Sequence, residues 1–260
     1  MTVARGAESG DRSPVQSHDV GDVVLLHGWG STAGVWKELR TRLSQRLRVS
    51  APDLPGYGSS TARAPCTVES MADAIARSAP RRCHVVGWSL GGLVALAWAM
   101  AAPEQVGRLA LIATTPSFLQ RPGWPEAMAE ETFAGFEAAL AADPAGALRR
   151  FVSLQSQDDE QARSVARRLR DTMAPAAAAL LGAGLLVLRS TDLRARLRSV
   201  RAPALVLHGS RDRLVPAAAG ERLSRLLPAA RYLAVPGAAH APFLSDPAAV
   251  AAALQDHLYA

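Results

Sequence analysis

Gly87-Trp88-Ser89-Leu90-Gly91 decides how this chain is read. It follows an apolar run, Cys83-His84-Val85-Val86, and precedes a second, helix-forming run from Leu93 to Met100. A serine between glycines, at the junction of strand and helix, is what a nucleophile elbow requires. The sharp turn strains the serine backbone and lifts its hydroxyl above the sheet, and bulky neighbours on either side would clash. A glycine-rich loop without chemistry is the plainer reading, but it does not account for the strand before and the helix after.

Outward from the elbow, strands and helices alternate. Strands are predicted over Val23–Leu26, Leu47–Ala51, Arg82–Val86, Arg108–Ala113, Ala204–Leu207 and Tyr232–Val235. Helices are predicted over Ala33–Gln45, Val68–Ala79, Leu90–Ala101, Pro216–Leu227 and Pro247–Leu258. This rhythm implies an α/β architecture, a mostly parallel central sheet with helices on both faces. It is interrupted over 117–189, where alanine, arginine and acidic residues dominate and no strand is evident. Four helices are expected there: Pro125–Leu140, Pro144–Leu154, Asp158–Met173 and Ala176–Leu188. Both prolines suit a first helical turn, where a missing N–H costs little. The chain thus divides into a flexible tail (1–20), a core (21–116 and 190–260) and an inserted helical lid (117–189) over the carboxyl ends of the strands. Ligands bind at that edge of such sheets.

Composition narrows the possibilities. With 260 residues, 49% hydrophobic and 20% charged, the chain can bury one large domain. It has no apolar stretch of the roughly 18 to 20 residues that a membrane span needs. The polar start lacks the apolar core of a signal peptide. Cys66 and Cys83 form neither a disulfide framework nor a metal-ligand pattern. A monomeric cytoplasmic protein is expected, without metal or cofactor. Lys37 is the single lysine among 29 Lys and Arg residues, and the net charge is +6. A coding preference for arginine and attraction to an acidic partner both account for that balance. Helix-turn-helix, zinc-finger and aromatic stacking motifs are lacking, which disfavours nucleic acid.

A serine hydroxyl is a weak nucleophile and needs a base, itself oriented by a carboxylate. The strand Ala204–Leu207 runs into His208-Gly209-Ser210-Arg211-Asp212, and the last strand into Gly237-Ala238-Ala239-His240. Ser89, Asp212 and His240 therefore fall in the order this chemistry uses, each beyond a strand end on one edge. Taken singly, Asp212 reads equally as a cap and His240 as a loop histidine; their conjunction carries the argument. Two backbone N–H groups should form an oxyanion hole: Leu90, after the nucleophile, and Trp29, in His27-Gly28-Trp29-Gly30 after the first strand. Trp29 is also expected along the acyl pocket. His27 and the segment Asp53-Leu54-Pro55-Gly56-Tyr57-Gly58 read as structural turns. Phe133, Phe136 and Leu140 read as lid packing. Serine rather than aspartate at the elbow argues against alkyl-transfer hydrolysis and for acyl transfer to water.

Leu26-His27-Gly28-Trp29-Gly30, Asp53-Leu54-Pro55-Gly56-Tyr57-Gly58, Gly87-Trp88-Ser89-Leu90-Gly91-Gly92, Arg150-Phe151-Val152-Ser153-Leu154-Gln155 and Ala239-His240-Ala241-Pro242-Phe243 together resemble one family. It is the pimeloyl-acyl-carrier-protein methyl ester esterases of the α/β-hydrolase superfamily. The resemblance implies the α/β-hydrolase fold and hydrolysis of a methyl-capped pimeloyl chain on acyl carrier protein, in biotin biosynthesis. It implies that Phe151, Val152, Ser153, Leu154 and Gln155, with Trp29, Ser89, Leu90 and His240, contact the substrate. It further implies that Arg150, Arg163 and Arg167 dock the acidic carrier. Where that family has a further lid arginine this sequence has Gly146, with Arg149 nearby. Spacing adds that Arg163, Arg167 and Arg170 share one helix face, while Asp158, Asp159, Glu160 and Asp171 are available to neutralise it. Three other uses of the same residues stand open: a broad esterase for small free esters, a carbon–carbon hydrolase, and a non-catalytic ligand receptor.

Overall fold

The structure, a computed structural model, describes residues 21–60, 67–173 and 178–260. The expected tail, Cys66 and the first two residues of the helix expected from Ala176 lie outside them. Six strands form one sheet: β1 (Asp22–Leu26), β2 (Arg48–Ser50), β3 (Cys83–Trp88), β4 (Val106–Ile112), β5 (Ala204–Gly209) and β6 (Ala230–Val235). Their order is β2-β1-β3-β4-β5-β6, and every pair is parallel. The chain leaves β1 for one side and returns to its other side as β3. That reversal is the switch point at which open α/β sheets bind ligands. The loops after β1 and β3, carrying Trp29 and Ser89, flank it.

Side chains alternate between two cores. Val24, Leu26, Val85, Leu109, Leu111, Ala204 and Val206 face one; Val23, Leu25, Val86, Ala110, Ile112, Leu205 and Leu207 face the other. Strands apolar on both faces can only lie between helical layers. The first core is covered by α2 (Val68–Ser78), α3 (Leu90–Ala101) and α8 (Ala217–Leu226), the second by α1 (Lys37–Leu43) and α10 (Pro247–Tyr259). A four-residue turn of helix, α9 (Pro242–Ser245), follows the His240 loop. Helix α3 is buried along nearly its whole length, as a helix apolar on all sides must be.

Four helices separate β4 from β5: α4 (Glu130–Ala142), α5 (Pro144–Ser156), α6 (Ala162–Asp171) and α7 (Ala178–Ser190). Pro144 opens α5 as expected, beneath an Asp143 side chain that accepts from the Gly146 N–H at 2.9 Å. Pro125 does not open α4. Residues 118–128 fold back on themselves, with Met128 N–H donating to Phe118 O and Gln120 N–H to Met128 O. The buried Trp124 anchors that turn by donating from Nε1 to Thr115 Oγ1, so the helix begins five residues late. Helix α6 also starts later than its composition predicts. Asp158 adopts φ 65° and Asp159 Oδ1 accepts from Gln161 N–H, which delays helical geometry until Ala162. The helix expected over Ala33–Gln45 splits into a 3-10 turn, Ala33–Trp36, and α1. Among the described residues, no helix is long and apolar enough to cross a membrane.

Candidate active site

Ser89 sits between β3 and α3 with φ 55° and ψ −118°, a conformation that non-glycine residues avoid. Such strain persists only where the surroundings over-determine it. Here Ser89 N–H donates to Ile112 O at 2.9 Å, and Ser89 O accepts from Thr114 Oγ1 at 2.7 Å and Gly92 N–H at 2.9 Å. The flanking glycines are required by close approach. A Cβ on Gly87 would lie 2.3 Å from Gly91 O, and one on Gly91 2.2 Å from Leu26 O.

His240 is buried, and its Nδ1 lies 2.8 Å from Asp212 Oδ2. The other oxygen, Oδ1, accepts from Leu214 N–H and Val215 N–H, each at 2.9 Å. With both oxygens occupied, the carboxylate cannot rotate. It favours the tautomer with hydrogen on Nδ1, which leaves Nε2 with a lone pair. His240 Nε2 has no hydrogen-bond partner among the described residues, so the bond from a serine hydroxyl that such a base accepts is not made in this arrangement. Two contacts that sequence reasoning missed hold the same residue. Trp88 Nε1 donates to His240 O at 2.8 Å, and His240 N–H donates to Gln155 O at 3.1 Å. Trp88 was visible in the motif, but an indole N–H reaching across 152 positions leaves no local pattern. A backbone acceptor such as Gln155 O has no side-chain signature at all.

The loop after β1 abuts Ser89: a Cβ on Gly28 would lie 3.3 Å from Ser89 Cβ. Trp29 follows Gly28 in that loop, and Leu90 N–H heads α3, where helix-end amides attract negative charge. The Trp29 indole is buried, donates to Leu181 O of α7 at 2.9 Å, and stacks edge-on against Phe136 and Phe151. These rings wall an apolar cavity of about 260 Å³ between the inserted helices and the core. Leu154 and Arg150 line it from α5, Leu185 and Leu188 from α7, and Leu214 from the Asp212 loop. Ser89, Leu90 and His240 are not part of its wall.

The five residues Phe151 to Gln155 therefore separate. Phe151 and Leu154 face the cavity; Val152 packs with Val165 and Leu169 of α6 against the second core. Ser153 is exposed and donates to Arg149 O, whereas Gln155 is buried beside the His240 loop. Arg149, Arg150, Arg163, Arg167 and Arg170 are exposed. The acids that could neutralise Arg163, Arg167 and Arg170 are mostly engaged elsewhere. Asp158 pairs with Arg213 and Glu160 with Arg211, and Asp159 is buried. Gly146 cannot carry an arginine unless the cap moves, because a Cβ there would lie 1.8 Å from Asp143 Oδ2.

His27 is a structural residue. It lies fully buried beneath the Trp29 loop, with Nε2 accepting from Leu54 N–H at 2.9 Å and Nδ1 facing Gly28 O. Burial pushes its pKa down to about 4, and does the same to the fully buried His208. Both are neutral in the fold, whereas the unfolded chain takes up their protons near the ordinary value of 6.5. Stability is then fully present above about pH 6.5 and lost as pH falls towards 4. Each should contribute a loss of about 2 kcal/mol between pH 7 and 5. Urea midpoints at the two pH values test this; an unchanged midpoint contradicts it.

Comparison with known proteins follows the same lines. Residues 22–247 match the family described as alpha/beta hydrolase fold. The pimeloyl-[acyl-carrier protein] methyl ester esterase of Aromatoleum aromaticum is 46% identical over 246 residues, covering 90% of this chain and 97% of that protein. Its counterpart from Nitrosomonas europaea is 43% identical over 229 residues, covering 87% and 91%. An esterase from Exiguobacterium antarcticum superposes with a TM-score of 0.83 at 23% identity over 92% of each chain, a likeness of fold.

Proposed function

Because this chain belongs to the pimeloyl-[acyl-carrier protein] methyl ester esterases of the alpha/beta hydrolase family, we propose that it hydrolyses the methyl ester of pimeloyl-acyl-carrier protein. The products are methanol and the free pimeloyl carboxylate, still on its carrier, for biotin biosynthesis. The observation that carries this reading is identity of 46% across 90% of the chain, a share that has to include the helical insertion as well as the core.

In this mechanism His240 Nε2 removes the Ser89 Oγ proton as that oxygen attacks the ester carbonyl. The developing oxyanion accepts from the N–H groups of Trp29 and Leu90. Asp212 stabilises the imidazolium and keeps it oriented. Protonated Nε2 then gives its proton to the departing methoxide, and methanol leaves. Water, deprotonated by the same nitrogen, attacks the acyl-enzyme and restores Ser89. The inserted helices act as the lid, and their apolar cavity suits a methylene chain. The carboxylate is produced at the buried Ser89, where it is poorly solvated, which favours release.

A carrier-linked substrate offers two acyl groups, and the thioester is intrinsically the more reactive. Docking the carrier on the lid sets the reach of its arm, so that the distal ester arrives at Ser89. Arg150 at the cavity edge and Arg163 and Arg167 on α6 supply the basic surface; guanidinium forks suit carboxylates and phosphate. The decisive experiment incubates methyl-pimeloyl carrier with the enzyme and follows the carrier by mass spectrometry. Loss of the methyl group with the thioester intact supports the reading; cleavage of the thioester, or no turnover, sinks it. The double variant R163E/R167E should raise KM for the carrier substrate at least tenfold and leave a short p-nitrophenyl ester unaffected. Added salt should act in the same direction. Unchanged carrier kinetics would remove the docking role from these arginines.

A further inference from the structure

The junction between α5 and α6 is bound closely to the loop that presents the base. Asp159 lies in that junction at 6% exposure. Its Oδ2 accepts from Ala239 N–H at 2.7 Å, the residue before His240, and also from Ser245 Oγ in α9. Its Oδ1 accepts from Gln161 N–H at 2.7 Å. One carboxylate oxygen thus bridges both flanks of His240. Neighbouring contacts reinforce the junction. Glu160 N–H donates to Gly237 O at 3.0 Å, and a Cβ on Gly237 would lie 2.5 Å from the Glu160 carboxyl carbon. The His240 backbone is in addition held at its N–H by Gln155 O and at its carbonyl by Trp88.

The geometry points to Asp159 as a positioning residue for the base: a lid side chain that fixes where His240 stands relative to Ser89. The inference rests on the assignment of His240 as the base. A buried carboxylate accepting three hydrogen bonds makes strong, directional contacts, and here it meets three donors at once. Removing it strands the Ala239 N–H in a buried loop, which must shift to find another acceptor. A displacement of about 1 Å at a catalytic group can cost on the order of a hundredfold in rate. The effect should fall on the chemical step. Asp159 is not part of the cavity wall, so substrate binding need not change.

The test compares D159A with the unaltered enzyme on a short p-nitrophenyl ester, which needs no carrier. D159A should lower kcat at least tenfold with KM within about twofold. Fluorophosphonate labelling of Ser89 should slow by a similar factor yet reach the same final stoichiometry. D159N retains one accepting oxygen and turns an N–H₂ towards one of the remaining donors, so its kcat should fall between the two. D158N keeps a residue type that tolerates φ 65° and removes the charge of the exposed pair with Arg213, and should leave kcat within twofold. A kcat per labelled site equal to wild type in D159A and D159N overturns the inference. So does a loss seen only as fewer labelled sites, since that is a folding defect. If D159A does not fold, D159N decides by the same two readings. S89A and H240A run alongside: if they retain turnover, the base assignment has failed. If they are inactive while D159A and D159N are not, only the role of Asp159 has failed.

Discussion

Ser89→Ala should reduce kcat by roughly 10⁴-fold to 10⁶-fold while leaving the protein folded. The hydroxyl is the only group that this change removes, and Ser89 is small and 8% exposed. The strained backbone at φ 55° is kept, because alanine meets the same backbone constraints from Ile112, Thr114 and Gly92. The check is methanol release from the carrier-linked ester, alongside a thermal melt. Turnover within a hundredfold of wild type would remove Ser89 from the mechanism. The small residue of activity left would measure what the oxyanion amides and substrate binding supply alone.

Gly91→Ala should be severely damaging for a single added methyl group. Its Cβ would lie 2.2 Å from Leu26 O and 2.6 Å from His27 O. Both are backbone atoms at the end of β1, unable to swing aside as a side chain could. Relief requires α3 to move off the sheet, and α3 is buried along nearly its whole length. The expected loss is about 3 kcal/mol or more, read from chemical denaturation. Activity should fall further than stability explains, since α3 carries Leu90 N–H and follows Ser89 directly. Gly182→Ala makes the useful contrast. It is exposed in α7 with nothing within 4 Å of an added Cβ, and should be neutral or stabilising by up to about 1 kcal/mol. A loss below 1 kcal/mol at Gly91 would contradict the close packing of helix on strand.

The parts of the fold readable from sequence are those where one physical demand fixes several residues at once. The strands β1, β3, β4 and β5 must be apolar on both faces, and the helices that cover them amphipathic or, for the buried α3, apolar all round, so the alternation is visible without coordinates. Asp212 and His240 were legible as a pair because each follows a strand end on one edge, and the structure sets them 2.8 Å apart. What escaped depends on tertiary placement. The start of α4 is delayed by a turn anchored on Trp124, which no local propensity encodes. The spacing offers Asp158, Asp159 and Glu160 to neutralise the arginine face of α6, whereas Asp158 and Glu160 pair with Arg213 and Arg211 and Asp159 is buried beneath the His240 loop. Within Phe151 to Gln155, consecutive residues on a helix point to different neighbours, so one motif serves cavity, second core and base loop separately.

The seam between Gln155–Gln161 and Gly237–Ser245 has a consequence for recombination. Glu160 occupies the space above Gly237, and Asp159 bridges the two sides of the following histidine. Substitutions at 159, 160, 237 and 245 should therefore be inherited together in related proteins. A chimera that exchanges the four helices should work only when it brings along its donor's segment from 236 to 245. A hybrid built with crossover points at the ends of the insertion alone should express and fold, and fail at catalysis.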